Sequence, residues 1–323
     1  MNKLTEGQKL IVIVGPTASG KSDLGIKLAK KLRGEIISGD SRQIYRGMDI
    51  GTGEVTKREQ KMVRHHLLDV ASPKRIFTAS DFKKLGERAI KDLASKNKIP
   101  IIVGGTGFYI DILLGRMQAA QVKPNKQLRA ELEKQSAEQL FKRLKKLDPA
   151  RAETIDAKNS RRLIRAIEIF MATKKSSLTT SYLPPTANYE VLWLGLRPEN
   201  LQDRIKKRLD SRLKAGMINE VRNLHNPPIG GGVSWKRLED MGLEYRWISR
   251  WLIKNLKVKS KNYNSEFKIS EEYNYLLRDI TRYSKRQMTW FKRNKDIHWL
   301  APSKVEGIKD YKTAERLARQ FID

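Results

Sequence analysis

The sequence predicts an α/β fold, a parallel sheet flanked by helices, with a helical insertion. Three observations carry that prediction. Short apolar, β-branched runs alternate with helix-period segments through the N-terminal part of the chain. A glycine-containing turn of residues 15–22 joins the first of those runs to the first helical segment. From about residue 124 to 173 the chain becomes charged and helical in period with no strand, and strand character returns only at Tyr189.

In order, residues 10–14 form a buried strand that stops at Gly15. Residues 23–32 carry Leu24, Leu28 and Leu32 at helical spacing and close at Gly34. Residues 35–38 read as a second strand. Residues 81–94 form a helix with Phe82, Leu85, Ala89, Ile90 and Leu93 on one face. A third strand, 98–103, is stopped by Gly104 and Gly105. Residues 176–188, with Pro184 and Pro185 adjacent, are a connector. Residues 189–196 return to a strand, 200–224 read as one long amphipathic basic helix, and 254–268 as a polar surface loop. Residues 297–300 supply a last strand. The expected organisation is a core of residues 1–117 and 188–323, ending in a helical part, with residues 118–187 inserted. There is no internal repeat.

The 323 residues suffice for one large or two modest cores, and 39% hydrophobic content marks a globular chain. The charge balance is unusual: 66 Lys and Arg face 36 Asp and Glu, a formal net charge of +30. Self-repulsion of that size works against compaction, so the excess points to a polyanionic partner, with nucleic acid the first candidate. The bland alternative is a basic proteome background. The absence of cysteine excludes disulfides, thiolate metal sites and cysteine nucleophiles. The polar residues 1–9 lead straight into a strand with no signal peptide, and no apolar run approaches the ~20 residues of a membrane span. A cytoplasmic protein with no membrane partner, acting as a monomer, is expected.

Gly15-Pro16-Thr17-Ala18-Ser19-Gly20-Lys21-Ser22 fits the G-x-x-x-x-G-K-[ST] phosphate-loop pattern, with a strand before it and a helix after it. The glycines let the backbone turn several N–H groups toward one anion. The helix N-terminus adds its dipole, Lys21 a point charge, and the Ser22 hydroxyl a ligand for Mg²⁺. Such loops mostly serve phosphoryl transfer. Two features count against that here. A nucleotide hydrolase should offer a strand ending in a metal-binding Asp, whereas the third strand ends in Gly104-Gly105-Thr106-Gly107. A small-metabolite kinase also has no use for so basic a body.

Further runs follow in order: Asp40-Ser41-Arg42-Gln43-Ile44-Tyr45, Met48-Asp49-Ile50-Gly51-Thr52, His65-His66-Leu67-Leu68-Asp69, Phe77-Thr78 before Asp81-Phe82, Gly104-Gly105-Thr106-Gly107-Phe108-Tyr109, Arg161-Arg162-Leu163-Ile164-Arg165-Ala166-Ile167-Glu168, and Lys285-Arg286-Gln287-Met288-Thr289-Trp290-Phe291. With the phosphate loop, this series resembles the tRNA dimethylallyltransferases (tRNA isopentenyltransferases) over residues 11–300. The resemblance implies a P-loop kinase-like core whose helical insertion grips the anticodon stem-loop of tRNA. It implies transfer of a dimethylallyl group from dimethylallyl diphosphate to N6 of the adenosine 3′ of the anticodon.

An allylic diphosphate needs positive charge around the departing oxygens and a base for the attacking amine. On that resemblance the loop residues Gly15 to Ser22 hold the diphosphate with Mg²⁺. Asp40, at the end of the second strand, is the general base; a turn cap is the plain alternative. Ser41, Arg42 and Gln43 would hold the extruded base. Thr106 would bring its hydroxyl near the bridging oxygen or the base, or be a turn residue among glycines. Arg129, Arg161, Arg162 and Arg165, with Leu163 and Ile164 between them, match positions that touch tRNA, as do Lys285 and Arg286. Each arginine could equally be a solvated surface residue. Arg204 and Arg208 are further phosphate candidates. His65 and His66, being adjacent, point apart and make no metal site, and Trp290 and Phe291 read as core.

Two stretches depart from the family pattern. A His-Pro-Asn-Asp run before the arginine pair is replaced by Asp156-Ala157-Lys158-Asn159, and a Gly-Tyr pair by Ser234-Trp235 ahead of Lys236-Arg237. Both leave the chemistry intact and bear on which tRNAs are read. Two other functions compete. A relative prenylating free AMP or ADP would need neither insertion nor basic surface, and a P-loop RNA-binding ATPase or kinase would turn over nucleotide.

Overall fold

The computed structural model describes residues 7–118, 120, 122–176, 189–255, 262–300 and 311–323. Among the described residues six strands form one parallel sheet: β1 (Gln8–Val14), β2 (Glu35–Ser38), β3 (His65–His66), β4 (Pro100–Gly104), β5 (Tyr189–Leu196) and β6 (Ile297–Leu300). Their order is β3-β2-β4-β1-β5-β6. Leu10 to Val14 are wholly buried, as expected of a strand covered on both faces. Among the described residues no helix is long and apolar enough to cross a membrane.

Between the early strands lie α1 (Lys21–Leu32), α2 (Lys57–Met62), α3 (Ala79–Ser95) and α4 (Gly107–Leu113). α1 packs Leu24 and Leu28 on Ile11, Ile13 and Ile101. It ends where Arg33 takes a left-handed conformation and the Gly34 N–H returns to the Ala29 carbonyl at 2.9 Å. α3 starts with a reciprocal capping box between Thr78 and Asp81.

The chain divides into two compact units, one of Met1–Leu113 and Ala187–Asp323 and one of Leu114–Thr186. The second holds α5 (Lys126–Leu132), α6 (Ala137–Leu147), α7 (Pro149–Thr154) and α8 (Ser160–Thr173) around Leu132, Leu140, Leu144, Leu163 and Ile167. The first continues after β5 with α9 (Leu201–Lys214), α10 (Met217–His225), α11 (Trp235–Met241), α12 (Leu243–Lys254), α13 (Tyr263–Lys268), α14 (Glu271–Phe291) and, after β6, α15 (Tyr311–Ile322). α9 to α14 share a core of Leu209, Ile218, Tyr245, Phe267 and Leu276 with Ile44 and Met48, while α15 packs Ala314 and Ala318 into the cluster of β1 and α1.

The structure corrects the sequence reading in three places. The expected single helix of residues 200–224 is two, because Gly216 sits at φ +99°, outside helical geometry, and starts α10. The polar stretch of residues 254–268 is not all loop: Tyr263–Lys268 is a helical turn anchored by the wholly buried Phe267, and residues 256–261 lie outside the described residues. The edge strand β3, pairing Ile36 with His65, is too short to leave a periodicity. The connector at residues 177–188 also lies outside the described residues.

Candidate active site

Parallel pairing aligns the carboxyl ends of three strands. Val14 lies beside Gly104, and Ser38 beside Val103, so the segments after β1, β2 and β4 leave the sheet together. Open α/β sheets bind ligands there. The Gly39 N–H donates to Val103 O (2.8 Å), and Thr106 N–H to Gly39 O (3.2 Å). A Cβ on Gly104 would stand 2.2 Å from Gly39 O, so only glycine lets the Asp40 segment close on the end of β4.

These segments line a cleft of about 1320 Å³ within the first unit. That exceeds the ~300–1,000 Å³ of a site for one small ligand and suits two substrates. From the phosphate loop it receives Thr17, Ala18, Gly20, Lys21 and Ser22, while Gly15, Pro16 and Ser19 lie behind. Gly20 is left-handed at φ +89°, and so is Ala18 at +61°. The Lys21 ammonium donates to Pro16 O at 3.2 Å, Arg204 Nε to Ala18 O at 2.8 Å, and Arg208 to Gly53 O at 3.1 Å.

Charge explains the chemistry of this end. Burial and then the Arg208 charge push Lys21 down to about 8, against the pull of Asp40. Burial and then Arg212 push Arg208 down to about 9. Arg212 is neutralised by Glu244 at 3.0 Å, but among the described residues neither Lys21 nor Arg208 reaches a carboxylate within ion-pair distance. Half-buried cations without a counterion carry a desolvation cost, and an anion bound between them offsets it.

At the other end, Asp40 Oδ1 accepts from the Arg42 N–H at 2.9 Å, so Asp40 does cap its turn; no second hydrogen bond to its carboxylate occurs among the described residues. Ser41 N–H donates to Thr106 Oγ1 at 3.1 Å, and Thr106 donates on to Ser41 Oγ at 3.3 Å. Thr106 stands behind Ser41 rather than on the cleft wall. Gln43 lines the cleft and pins it, accepting from Ser38 Oγ (2.7 Å) and donating to Gly53 O (3.2 Å).

Two site residues on α14 escaped the sequence reading. Tyr283 lines the cleft; burial and the Asp40 charge push its phenol well above the ordinary value, with its side-chain contact to Thr106 pulling the other way. Gln287 touches both the phosphate loop and the turn after β4. Only its place inside the run from Lys285 to Phe291 signalled it.

The expected RNA contacts divide. Arg286 is exposed, lines the cleft and packs over the Tyr283 ring at 5.8 Å; Lys285 is exposed beside it. In the second unit Arg161 and Arg162 are exposed on α8, while Leu163 and Ile164 are core. Arg129 and Arg165 converge on Glu168, which is 1% exposed: Arg129 is bidentate at 2.9 and 2.8 Å, and Arg165 also donates to Val122 O at 2.9 Å. Burial raises the Glu168 carboxyl, but hydrogen bonds from Arg129, Arg165 and Asn125 N–H hold it below the usual range. Both guanidinium groups are paired within their own unit, and about a third of each side chain remains accessible.

Both departures from the family pattern have structural jobs. Asn159 caps α8, accepting from Arg162 N–H at 3.2 Å, which Asn does as well as Asp. Ser234 caps α11, and Trp235 stacks on His225 with centroids 3.7 Å apart. His65 Nδ1 lies 2.8 Å from Val63 O, and His66 Nε2 2.7 Å from Glu35. Trp290 donates to buried Asp111 at 2.8 Å, and Phe291 is core. For a cation, Ser22 offers a cleft-lining hydroxyl with no hydrogen-bond partner among the described residues. Asp49, Glu54 and Asp69 bring carboxylate oxygens within 4.8 Å of one another.

Residues 43–294 match the family model described as IPP transferase. The chain is 37% identical over 322 residues to the tRNA dimethylallyltransferase of Alkaliphilus oremlandii, covering 98% of this chain and 96% of that one. It is 40% identical over 300 residues to the tRNA dimethylallyltransferase of Staphylococcus carnosus, covering 90% of each. Among solved structures it superposes on the full-length tRNA isopentenylpyrophosphate transferase of Bacillus halodurans with a TM-score of 0.66 and 32% identity, covering 98% of this chain and 97% of that one. A eukaryotic dimethylallyltransferase acting on tRNA, 24% identical, shares the fold with a TM-score of 0.73, covering 98% of this chain and 80% of that one.

Proposed function

The chain belongs to the IPP transferase family, that of the tRNA dimethylallyltransferases, and we propose that its cleft performs dimethylallyl transfer to tRNA by displacement at carbon. The donor is dimethylallyl diphosphate. The acceptor is the exocyclic N6 of the adenosine 3′ of the anticodon, and the product is N6-(dimethylallyl)adenosine.

The observation that carries this reading is the pair of half-buried cations, Lys21 and Arg208, that reach no carboxylate within ion-pair distance among the described residues, in a cleft that also holds Asp40. The pair suits a diphosphate, and Asp40 suits the proton that its displacement releases. The N6 lone pair forms a bond to C1 of the prenyl group as the C1–O bond breaks. The bonding electrons leave with the diphosphate, whose growing charge Lys21, Arg208 and the loop N–H groups stabilise. One N6 proton passes to Asp40, keeping the product neutral. Ser22 would hold Mg²⁺, which when bound adds positive charge beside the diphosphate oxygens.

A base stacked in the anticodon loop must first be extruded, at a cost of a few kcal/mol. The net charge of +30 and the exposed Arg161, Arg162, Lys285 and Arg286 supply the phosphate contacts that offset it. The cleft is lined by a single compact unit, so the enzyme is read as a monomer, working in the cytoplasm where its RNA is.

The test is incubation with Mg²⁺, labelled dimethylallyl diphosphate and either unmodified tRNA or AMP, with ATP turnover followed in parallel. Label in tRNA is expected. Label in AMP alone would point to a free-nucleotide prenyltransferase, and ATP turnover without prenyl product to a nucleotide hydrolase.

A further inference from the structure

Gln287 is 5% exposed on α14, and its carboxamide works in both senses. Its Oε1 accepts from the Thr17 N–H of the phosphate loop at 2.9 Å. Its Nε2 donates to Gly105 O, in the turn after β4, also at 2.9 Å. Gly105 precedes Thr106, whose N–H holds Gly39 O and whose hydroxyl holds Ser41. One side chain therefore spans the loop assigned to the leaving group and the turn that fixes the Asp40 segment.

The chemistry at this position is narrow. A carboxylate could accept from Thr17 but would face Gly105 O without a donor, and an apolar chain would serve neither partner. The room is equally narrow: a Cβ on Gly105 would come within 2.2 Å of Gln287 Nε2. A buried amide with both ends used is costly to break and resists sliding, so it sets a distance.

Resting on the reading of the cleft given above, we infer that Gln287 is a positioning residue that sets the spacing between the diphosphate loop and the Asp40 segment. It acts through the loop and the turn that it bridges. Arg286 and Lys285 are exposed on the same turn of α14.

The experiment is single-turnover prenyl transfer at saturating dimethylallyl diphosphate and tRNA for the wild type, Gln287→Glu and Gln287→Met. KM for the diphosphate, Kd for tRNA and the thermal midpoint are measured alongside. Glu keeps the shape and the acceptor; Met keeps most of the volume. Both should lose about 10–100-fold in the saturated rate, the scale of a sub-ångström to ångström misplacement, with KM and Kd little changed. A wild-type rate in these variants overturns the inference, as does a rate loss that only tracks the folded fraction. Failure of the wild type to transfer at all would instead sink the proposed function.

Discussion

Arg165 closes on Glu168 one helical turn away, and Arg129 grips the same carboxylate from α5. A site residue expected on sequence grounds is thereby half of a buried ion pair. Removing one member leaves Glu168, 1% exposed, short of a partner. Arg165→Ala should cost the helical unit about 2–3 kcal/mol, less than the 3–5 typical of a broken buried pair because Arg129 remains. The difference in urea midpoints between Arg165→Ala and Arg162→Ala checks this. Arg162, exposed on α8, should on replacement by Ala leave stability nearly unchanged and lower the salt slope of tRNA binding instead.

Lys21 carries a stability cost as well as its proposed role at the diphosphate. Its folded value of about 8 lies below its ordinary 10.5, so the unfolded chain binds the proton more tightly. The cost is fully present below about 8 and fades as pH rises toward 10.5. Lys21→Met should therefore raise the melting temperature of the free protein at pH 7 by on the order of 2–4 °C while abolishing transfer. A lowered melting temperature would contradict an unneutralised, half-buried cation at this position.

Glu54 has the opposite sign. Burial, Asp69 and Asp49 push it up to about 8 from 4.5. The protonated carboxyl stabilises the fold fully below about 4.5, and that contribution is lost as pH rises through about 8. Wild type minus Glu54→Gln, compared by thermal midpoint, should fall steadily across that window. A flat difference would show that the carboxylate is ionised at no cost.

Asp40 caps its turn and faces the cleft, and one substitution separates the two jobs. Asn keeps an oxygen for the Arg42 N–H but cannot take a proton. Asp40→Asn should lose about 10²-fold or more in single-turnover transfer while binding tRNA as before. An undiminished rate would leave Asp40 with the cap alone.

Much of this was legible in the sequence for physical reasons. Fully apolar strands and a glycine-bounded loop are local signals, so β1, β2 and residues 15–22 could be read with their neighbours in view. The insertion could be read because a helical period without strands is also local. What stayed hidden depends on contacts between distant residues. Glu168 sits three residues from Arg165, but nothing in that spacing says both turn inward to meet Arg129. Gln287 lies 270 residues from Thr17, and only the register of β1 with β4 brings their partners together. Gly216 looked compatible with a helix until its positive φ broke the run.

In the proposed reaction the bond broken joins oxygen to carbon, not to phosphorus. Dimethylallyl diphosphate carrying ¹⁸O in its C1–O bridge decides this in one turnover with an unmodified anticodon stem-loop. Displacement at carbon sends all the ¹⁸O into the released diphosphate while the prenyl carbons appear on N6 of the RNA. Heavy oxygen retained with the prenyl group, or phosphorus appearing on the RNA, would contradict it.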